Sequence, residues 1–456
     1  MPQGRPRRGP DPGQRAGQEA QARTARDGPG RAGDCSAVGS GGWTTGGASG
    51  ERAMVDRELI LSVATRLFHE RGFARVTTDQ IAADAGITKR TLYRYIGSKE
   101  ALLLAIHEKF LDRVLAAVDH EGPSDEQVAA LLRNYVRTVV TNLDEIRVFF
   151  EERTHLSAAS QARVMQMRDR YESVFRDTLS RGIADGTFRD CDIPIVTQGV
   201  LGTVANMYEW YRPGGSLSAE QIADMLVELV LGGLPAVTRM LPSRPASERV
   251  AEALPAEECE EELDWAGNPV LSRILDVASE LMYEQGYDNM STRGLAEAAG
   301  LTKSALYYYI PNKETVLFQV NLRLALYGVG NVQRISAETA DPVEALRQIM
   351  VTHCETVARN MGALRALSYE MRFLDPTHHA RILELRRAYA AGFALAVRRA
   401  VGVEAGDART DVAAIAVMGM LNFMHHWYVD GARLSAGKVG ETLFELVWNG
   451  LRASTG

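Results

Sequence analysis

Apolar residues in the first patterned part of the chain recur with the period of a helix. The i, i+3, i+4, i+7, i+8 spacing is met by Ile60, Val63, Ala64, Leu67 and Phe68. Runs in which β-branched and polar residues alternate, as in a half-buried strand, are absent from the sequence. The pattern predicts an all-α protein whose first helix buries one face and ends at Gly72.

Short segments with capping residues follow this helix. Thr77 and Gln80 have the spacing of a capping box, which predicts a helix over 78–85. Thr88 is placed to cap a second short helix over 89–95. Two short helices joined by a glycine-containing turn are the layout of a helix-turn-helix, whose second helix enters the DNA major groove.

Two apolar helices are predicted over 192–211 and 218–233. Their stripes consist of Val196, Gly199, Val200, Thr203 and Met207, and of Ile222, Met225, Leu226, Leu229 and Val230. Similar stripes near the end of the chain consist of Gly419, Met420 and Phe423, and of Val439, Leu443, Leu446 and Val447. Four such helices pack as a bundle. We therefore expect the two halves of the chain to close a bundle on each other.

The chain contains the same unit twice. Residues 60–104 align with 274–318 at a shift of 214, and 20 of these 45 positions are identical. Residues 209–234 align with 426–451 at a shift of 217. The N-caps predicted after the second short helix are Ser98 and Asn312.

The repeat divides the chain into six predicted segments. These are a disordered N-terminal segment (1–53), a first helix-turn-helix (54–105), a first larger helical domain (106–240), an acidic linker (241–268), a second helix-turn-helix (269–319) and a second larger helical domain (320–456). Glycine, proline and arginine dominate the first segment, so Met54 is the expected start of the native protein. The alternative is a basic arm that binds DNA nonspecifically.

The two copies differ most where a helix-turn-helix reads bases. TKRTLYRYIGSKEALL (88–103) corresponds to TKSALYYYIPNKETVL (302–317). The expected DNA-binding residues of the first copy are Thr78, Thr88, Lys89, Arg90, Thr91, Tyr93, Arg94, Tyr95 and Lys99. Those of the second are Thr292, Thr302, Lys303, Ser304, Ala305, Tyr307, Tyr308, Tyr309 and Lys313. Arginines in the first copy become serine and tyrosine in the second, so we expect an asymmetric operator.

Composition narrows the function class. The net charge of −7 argues against a protein that coats nucleic acid through bulk charge. The four cysteines lie far apart, as in idle thiols of a reducing cytosol, and no apolar run reaches the length of a membrane span. No Ser-His-Asp set, metal-ligand spacing or phosphate loop occurs, so an enzyme is not expected and no cofactor or metal is predicted. Adjacent His425 and His426 would diverge by about 100° on an α-helix, which speaks against a metal pair.

Both copies carry [ST]-x-x-x-[IL]-A-x-x-A-G-[IL]-T-K-x-x-L-Y-x-Y-I-x-[SN]-K-E, which resembles the N-terminal domain of TetR-type transcriptional regulators. The resemblance implies two tandem units, each with a DNA-binding domain and a larger domain that binds a small molecule and pairs through its last two helices. One chain could then form an intramolecular pseudo-dimer on double-stranded DNA, and further homodimerisation stays open. The implied location is cytoplasmic, without membrane association.

The stretches FFEERTHL (149–156) and NMYEWYRPGGSLSAEQIAD (206–224) resemble the helices of acyl-CoA-responsive TetR-type members. The expected ligand-binding residues are Phe150, Arg153, Met167, Tyr171, Phe175, Met207, Trp210, Tyr389, Phe393, Phe423 and Trp427. The function expected from the resemblance is a repressor of lipid, fatty-acid or steroid catabolism genes that a small hydrophobic or acyl-CoA effector releases. The alternatives are an efflux repressor induced by a hydrophobic antibiotic and a ligand-independent architectural DNA-binding protein.

Overall fold

The computed structural model describes residues 47–116, 122–233, 236, 267–403, 408–429, 431 and 433–450, with side chains from residue 57 onward. Residues 1–55 form one unit and residues 56–456 a second one, which contains both copies of the repeat. Residues 1–46 of the predicted disordered segment and 241–266 of the predicted linker lie outside the described residues.

The described residues form helices and turns, and none of them lies in a strand. The helices of copy one are α1 (Gly47–Arg71), α2 (Thr78–Asp84), α3 (Lys89–Ile96), α4 (Lys99–Leu115), α5 (Ser124–Thr141), α6 (Leu143–Glu151), α7 (Ala158–Ala184), α8 (Ile193–Ala205), α9 (Met207–Trp210) and α10 (Ala219–Gly232). Those of copy two are α11 (Pro269–Asn289), α12 (Thr292–Ala298), α13 (Lys303–Tyr309), α14 (Lys313–Glu338), α15 (Pro342–Arg359), α16 (Met361–Tyr369), α17 (Pro376–Val401), α18 (Ala408–Asn422) and α19 (Ala436–Asn449). The 3-10 turns used below are Arg153–His155, Met371–Phe373 and Phe423–His426.

The predicted caps begin the short helices. Thr77 and Gln80 form the capping box at the start of α2, and Gly72 follows the end of α1 with a φ of 79°. Ser98 accepts a hydrogen bond from the backbone N–H of Ala101, as Asn312 does from Thr315. Local sequence therefore sets the boundaries of the helix-turn-helix, except that α1 begins inside the segment predicted to be disordered.

The larger domains of the two copies align element by element at a shift of 218. Ser157 caps α7 and Asp375 caps α17, and α6 corresponds in the same way to α16. This shift gives each residue between α5 and α7 an equivalent between α15 and α17, so the two copies can be compared position by position.

The last helices of the two copies pack against each other, as predicted for a four-helix bundle. Two glycines on α8 allow close approach of α18 and α19. A Cβ placed on Gly199 would lie 2.6 Å from Leu443 Cδ2, and one on Gly202 would lie 2.7 Å from Phe423 Cβ. At the far end, Gly233 lies against the carbonyl of Trp448. The seam between the copies is therefore packed by backbone as well as by side chains.

The helix predicted over 192–211 is interrupted. α8 ends at Ala205, Asn206 follows, and α9 holds only four residues. In copy two α18 leads into the 3-10 turn Phe423–His426 at the equivalent place. Both breaks lie beside the seam, where Asn206 packs on Gly419 across the two copies. None of the described helices combines the length and the apolar character that a membrane crossing requires.

Candidate DNA-binding heads and effector cavities

The helix-turn-helix units, called head one (α1–α4) and head two (α11–α14), present the same face. Leu92 and Leu306 are buried and hold α3 and α13 in the core. The exposed positions of α3 are Lys89, Arg90, Tyr93 and Arg94, and those of α13 are Lys303, Ser304, Tyr307 and Tyr308. Tyr95 and Tyr309 are half-buried. Most residues predicted to contact DNA thus lie on one accessible surface of each head.

The threonines at the start of these helices act as caps. Thr88 Oγ1 accepts from the backbone N–H of Thr91 at 3.1 Å and lies 2.9 Å from the Thr91 hydroxyl. Thr302 Oγ1 accepts from the backbone N–H of Ala305 at 3.1 Å. Both caps fix the N-terminus of the helix whose first residues would meet base edges.

A second shared hydrogen bond joins the two helices of each head. The Tyr93 hydroxyl lies 3.2 Å from Thr78 Oγ1, and the Tyr307 hydroxyl lies 3.3 Å from Thr292 Oγ1. Each tyrosine is about two-fifths exposed, at 43% and 40% respectively, so its edge remains accessible. The pair can hold the angle between the helices and still reach a phosphate.

Head one offers cations on its reading surface. Lys89 Nζ pairs with Asp79 at 2.9 Å, and the Arg94 guanidinium lies over the Tyr95 ring at 5.1 Å. Arg90 is exposed and pairs with no described residue. An arginine in this state can present its planar fork to guanine O6 and N7.

Head two carries a different surface at the same positions. Arg293 takes the place of Asp79 and pairs with Glu297 at 2.9 Å. Lys303 lies 5.7 Å from the centre of the Tyr307 ring. Tyr308 stands where head one has Arg94, and its side chain is 84% exposed. Head two therefore offers an aromatic ring where head one offers a guanidinium.

Lys99 and Lys313, which are predicted to contact phosphates, form hydrogen bonds within their own heads. Lys99 Nζ donates to the carbonyls of Phe73 and Val76 at 2.8 and 2.9 Å and lies 4.1 Å from the Phe73 ring centre. Burial lowers its pKa. Lys313 Nζ donates to the carbonyl of Asp288 at 3.1 Å. An ammonium has three donors, so Lys99 keeps one at most for DNA. The lysine mainly ties the loop after α1 to α4.

Replacing Lys99 by Met should lower the free energy of unfolding and should have little effect on the affinity for DNA. Two hydrogen bonds from a charged donor are lost, at a cost of about 1–3 kcal/mol in the free energy of unfolding. The salt dependence of operator binding should stay unchanged. Lys89→Met is the matched control, because an exposed phosphate contact should reduce the salt slope by about 1 without affecting unfolding. The reverse pattern in the two variants would restore the phosphate role of Lys99.

A cavity of about 120 Å³ lies inside the larger domain of copy two. Its wall is mostly apolar, and its polar members form one hydrogen-bonded group. The Tyr389 hydroxyl lies 2.5 Å from His353 Nδ1, and His353 Nε2 lies 3.0 Å from Asn422 Oδ1. Burial lowers the pKa of His353 to about 4, so the ring is neutral. Arg386 also lines this cavity. An apolar wall with a few convergent polar groups is the usual form of a small-molecule site.

The equivalent place in copy one is almost filled, with about 30 Å³ left. The difference follows from substitutions at matched positions. Where the copy-two cavity is lined by Leu324, Ala325, Gly328, His353 and Ser368, copy one has Phe110, Leu111, Val114, Tyr135 and Phe150. Larger side chains at each place, together with Phe423 from copy two, occupy the volume.

A third cavity, of about 150 Å³, lies where the two copies meet and is called the seam cavity. Its lining comes from copy one and copy two, and includes Phe150, Arg153, Tyr283, Arg365, Tyr369, His425, His426 and Trp427. Tyr283 is 44% exposed and Val429 68% exposed, so the cavity opens to solvent at these residues.

The predicted ligand-binding residues are spread over these three places. Tyr389 lines the copy-two cavity; Tyr171, Phe423 and Phe150 line the remnant in copy one; Arg153, Trp427 and again Phe150 line the seam cavity. Phe175, Met207 and Phe393 are fully buried core residues, and Met167 and Trp210 are half-buried. None of these five lines any of the three cavities.

The residues of the copy-two cavity that sequence reasoning missed are His353, Asn422 and Arg386. They lie on three different helices and have no local motif. Only a comparison of the two copies at a shift of 218, which pairs His353 with Tyr135, could have pointed to them.

His425 and His426 do not diverge as predicted for an α-helix. The two residues lie in a 3-10 turn, and both Nε2 atoms reach the Tyr369 hydroxyl, at 3.1 and 2.9 Å. His425 Nδ1 donates to the Asn422 carbonyl at 2.6 Å. Its Nε2 is therefore an acceptor for the tyrosine O–H, and His426 donates to the same oxygen. Burial lowers the pKa of His425 to about 4. A hydrogen-bonded chain thus runs from Tyr389 to His426.

Known sequence families match both copies. The bacterial regulatory proteins of the tetR family match residues 60–106 and 274–320, and the tetracyclin repressor-like C-terminal domain matches residues 121–234 and 339–451.

Individual relatives span one copy each. The HTH-type transcriptional repressor KstR2 of Mycolicibacterium smegmatis is 30% identical over 184 residues, which are 39% of this chain and 90% of the relative. KstR2 of Rhodococcus jostii is 30% identical over 196 residues, 42% of this chain and 94% of the relative. The structure of AibR in complex with isovaleryl coenzyme A and operator DNA is 29% identical, with a TM-score of 0.36 over 38% of this chain and 97% of that one. Since both copies match in both of their domains, the chain belongs to the TetR family of transcriptional regulators and consists of two such units in tandem.

Proposed function

We propose that this TetR-family chain is a repressor that an effector bound in the copy-two cavity releases from DNA. The observation that carries the proposal is the contrast between the two matched cavities, about 120 Å³ in copy two and about 30 Å³ in copy one. Repression is supported by the KstR2 relatives, which are named transcriptional repressors. One chain would then bind one effector in this family-typical place.

The chemistry of the cavity favours a hydrophobic effector with a polar end. Leucine, isoleucine and valine are the largest group of side chains in the wall. Arg386 supplies a cation that pairs with Glu209 of copy one at 2.9 Å. Fatty acids, steroids and their acyl-CoA thioesters combine an apolar body with an acidic or carbonyl group. We therefore propose an effector of this class and a regulon of lipid or steroid catabolism.

We propose that head one of copy one makes the contacts that recognise the base sequence. Arg90, Thr91 and Arg94 of head one would contact bases, and Tyr93 with Lys89 would contact phosphates. Head two, with Ser304, Ala305 and Tyr308 in place of the reading residues, would add apolar and phosphate contacts. The operator would be asymmetric, with the two heads about 34–36 Å apart.

A continuous path leads from the cavity to head one. Leu364, Leu367 and Ser368 line the cavity on α16, which runs directly into the turn Met371–Phe373. In that turn the Arg372 guanidinium pairs with Glu152 at 3.3 Å, and a Cβ on Gly72 of head one would lie 3.2 Å from its Nη2.

Arg372 pairs with Glu152 of the larger domain of copy one, beside Gly72 of head one. Burial opposes ionisation of Glu152, but the hydrogen bond from His155 and the charge of Arg372 outweigh it and lower its pKa. Arg75 of head one lies 4.7 Å from the Phe373 ring centre. Copy one has Thr154 where copy two has Arg372, so head two receives no such arginine. A shift of α16 on effector binding would therefore reach head one through Arg372. It would also reach head two directly, because Gly362 of α16 packs against the backbone of Ser279 in α11.

Release requires that the effector bind better to the form whose heads are wrongly spaced. A coupling free energy of about 1–3 kcal/mol would weaken DNA binding about 5–150-fold. We propose that one chain suffices for this switch, because the linker keeps the second head at a high effective concentration.

Titration of effectors against the DNA complex tests the proposal. Acyl-CoA thioesters, free fatty acids, steroids and hydrophobic antibiotics are added to the chain on its operator, and release is followed by fluorescence anisotropy. Gly328→Val places in copy two the residue that copy one has at Val114, and should abolish release. The matched variant Val114→Gly should retain release. Release by antibiotics alone would favour an efflux repressor, and release by no compound would favour a ligand-independent architectural protein.

A further inference from the structure

Among the described residues that line the seam cavity, two are arginines and none is an acid. Arg153 enters it from copy one, and Arg365 enters it from copy two. Arg365 Nη1 donates to the carbonyl of Tyr283 at 3.2 Å. Among the described residues, neither guanidinium forms an ion pair. Burial lowers the pKa of Arg153, and repulsion by Arg168 and Arg365 adds to this effect. Half-buried cations without an ion-pair partner are costly, since burial removes part of their hydration. The carboxylate that acts on Arg365 is Glu370, and the charge of Arg365 opposes the rise in the pKa of Glu370 that burial causes.

The pseudo-equivalent place on the other side of the seam is neutralised. Arg147 corresponds to Arg365, and Glu151 and Glu209 correspond to Tyr369 and His426. Arginines surround both glutamates: Arg372 lies 3.6 Å from Glu151, and Arg386 lies 2.9 Å from Glu209, as described above. The side that holds the seam cavity thus has Tyr369 and His426 in place of the two glutamates, and it has Arg365 in place of Arg147.

The remaining lining groups suit an anion. His425 and His426 are neutral because burial lowers the pKa of each ring. Thr154 adds an exposed hydroxyl at the mouth. Two guanidinium groups from opposite copies can grip a phosphate or carboxylate through paired N–H donors. The volume of about 150 Å³ admits such a group from solvent.

We propose that the seam cavity is an oxyanion-binding site, formed by Arg153 and Arg365, for a phosphate or carboxylate group. It is present once per chain, because Glu151 and Glu209 fill the same role on the opposite side. The bound anion joins the turn Arg153–His155 of copy one to α16 and, through Tyr283, to head two. The chain of hydrogen bonds from Tyr389 to His426 connects this site with the copy-two cavity.

Two sources of the anion are compatible with this chemistry. A small free oxyanion would bind alone, whereas an effector with an anionic end would bring its own. Inorganic phosphate and coenzyme A serve as probes for the two cases. Both are measured on the full chain without DNA, by thermal unfolding and calorimetry, against sodium chloride at equal ionic strength so that general screening is removed.

A saturable rise in the melting temperature with one of the two probes is expected for the wild-type chain. Arg153→Gln and Arg365→Gln should each weaken the apparent affinity at least about tenfold, since each removes a charged contact worth about 1.4 kcal/mol or more. Arg147→Gln, at the equivalent position on the other side, should leave the affinity unchanged. A response to phosphate assigns a free oxyanion, and a response to coenzyme A alone assigns the effector's own phosphate.

If an arginine variant does not fold, a variant that adds a carboxylate to the seam cavity tests the same proposal. His426→Glu places a carboxylate where the other side has Glu209. It should raise the melting temperature without any probe and remove the response to it. The proposal is overturned if neither probe gives a saturable response, or if the response persists in the double variant of Arg153 and Arg365. Because no operator is present, these outcomes do not depend on the effector proposed for the copy-two cavity.

Discussion

Replacing Arg90 by Ala should weaken operator binding by about 1–3 kcal/mol, or about 5–150-fold, and should relax base preference in one half-site only. Arg90 is the exposed arginine of α3 that no described residue engages. Its side chain can therefore reach a guanine without breaking an internal contact. Affinity is measured by fluorescence anisotropy on the wild-type operator and on operators changed in one half-site at a time.

Ser304→Ala is the matched control, because Ser304 occupies the equivalent position on α13 of head two. It should change the affinity by less than about twofold, since a serine makes weaker base contacts than a bidentate arginine. Arg90→Ala should leave thermal unfolding unchanged, as expected for an exposed side chain. Equal losses in the two variants would contradict a division of labour between the heads.

Replacing Gly202 by Ala should destabilise the seam between the copies and weaken DNA binding. The new Cβ would lie 2.7 Å from Phe423 Cβ and 3.2 Å from the backbone of Met420, both in copy two. Overpacking of this kind costs about 1–3 kcal/mol. Because the seam sets the spacing of the heads, operator affinity should fall with stability.

Gly330→Ala separates this packing effect from helix propensity. Gly330 lies exposed within α14, and a Cβ there meets no atom within 4 Å. The exchange should raise the free energy of unfolding by about 0.5–1 kcal/mol, because alanine favours helix. The free energy of unfolding of the Gly202→Ala variant should therefore be lower than that of the Gly330→Ala variant by about 1–3 kcal/mol. Equal stabilisation in both variants would mean that the copies do not pack this closely in solution.

Local chemistry explains why the fold of the heads could be predicted from the sequence. A cap needs one oxygen and one N–H three residues away, so Thr77, Thr88 and Ser98 are sufficient to mark helix starts. The periodicity of apolar residues predicted α8 and α10, and likewise α18 and α19 in copy two. The repeat itself, visible as identical residues at constant shifts, predicted two units and their packing across a common bundle.

The features that the sequence did not predict depend on neighbours that are distant in sequence. Lys99 reaches two carbonyls of the loop after α1, and those acceptors are placed by the packing of α1 on α4. Asn206 interrupts the helix predicted over 192–211 beside Gly419 of the other copy. The turn at His425 and His426 follows a similar break, which changed the direction of both rings.

The candidate effector site was the least predictable part. Tyr389 was expected from its place after the central helix, whereas His353 and Asn422 meet it from α15 and α18. Pattern alone favours aromatic and methionine residues as ligand contacts, yet Phe175 and Phe393 are fully buried in the core. A cavity results from what is missing at matched positions, such as Gly328 opposite Val114, and a single copy of the sequence does not reveal it.

The most direct test of two unequal heads in one chain is the operator itself. Binding sites are selected from random DNA with the full chain, and the selected site is mapped by hydroxyl-radical footprinting. We expect two unlike half-sites, with guanines and the stronger protection in the one contacted by head one, and loss of that protection in Arg90→Ala. A symmetric inverted repeat, with both half-sites equally protected and equally sensitive to Arg90→Ala, would contradict the account.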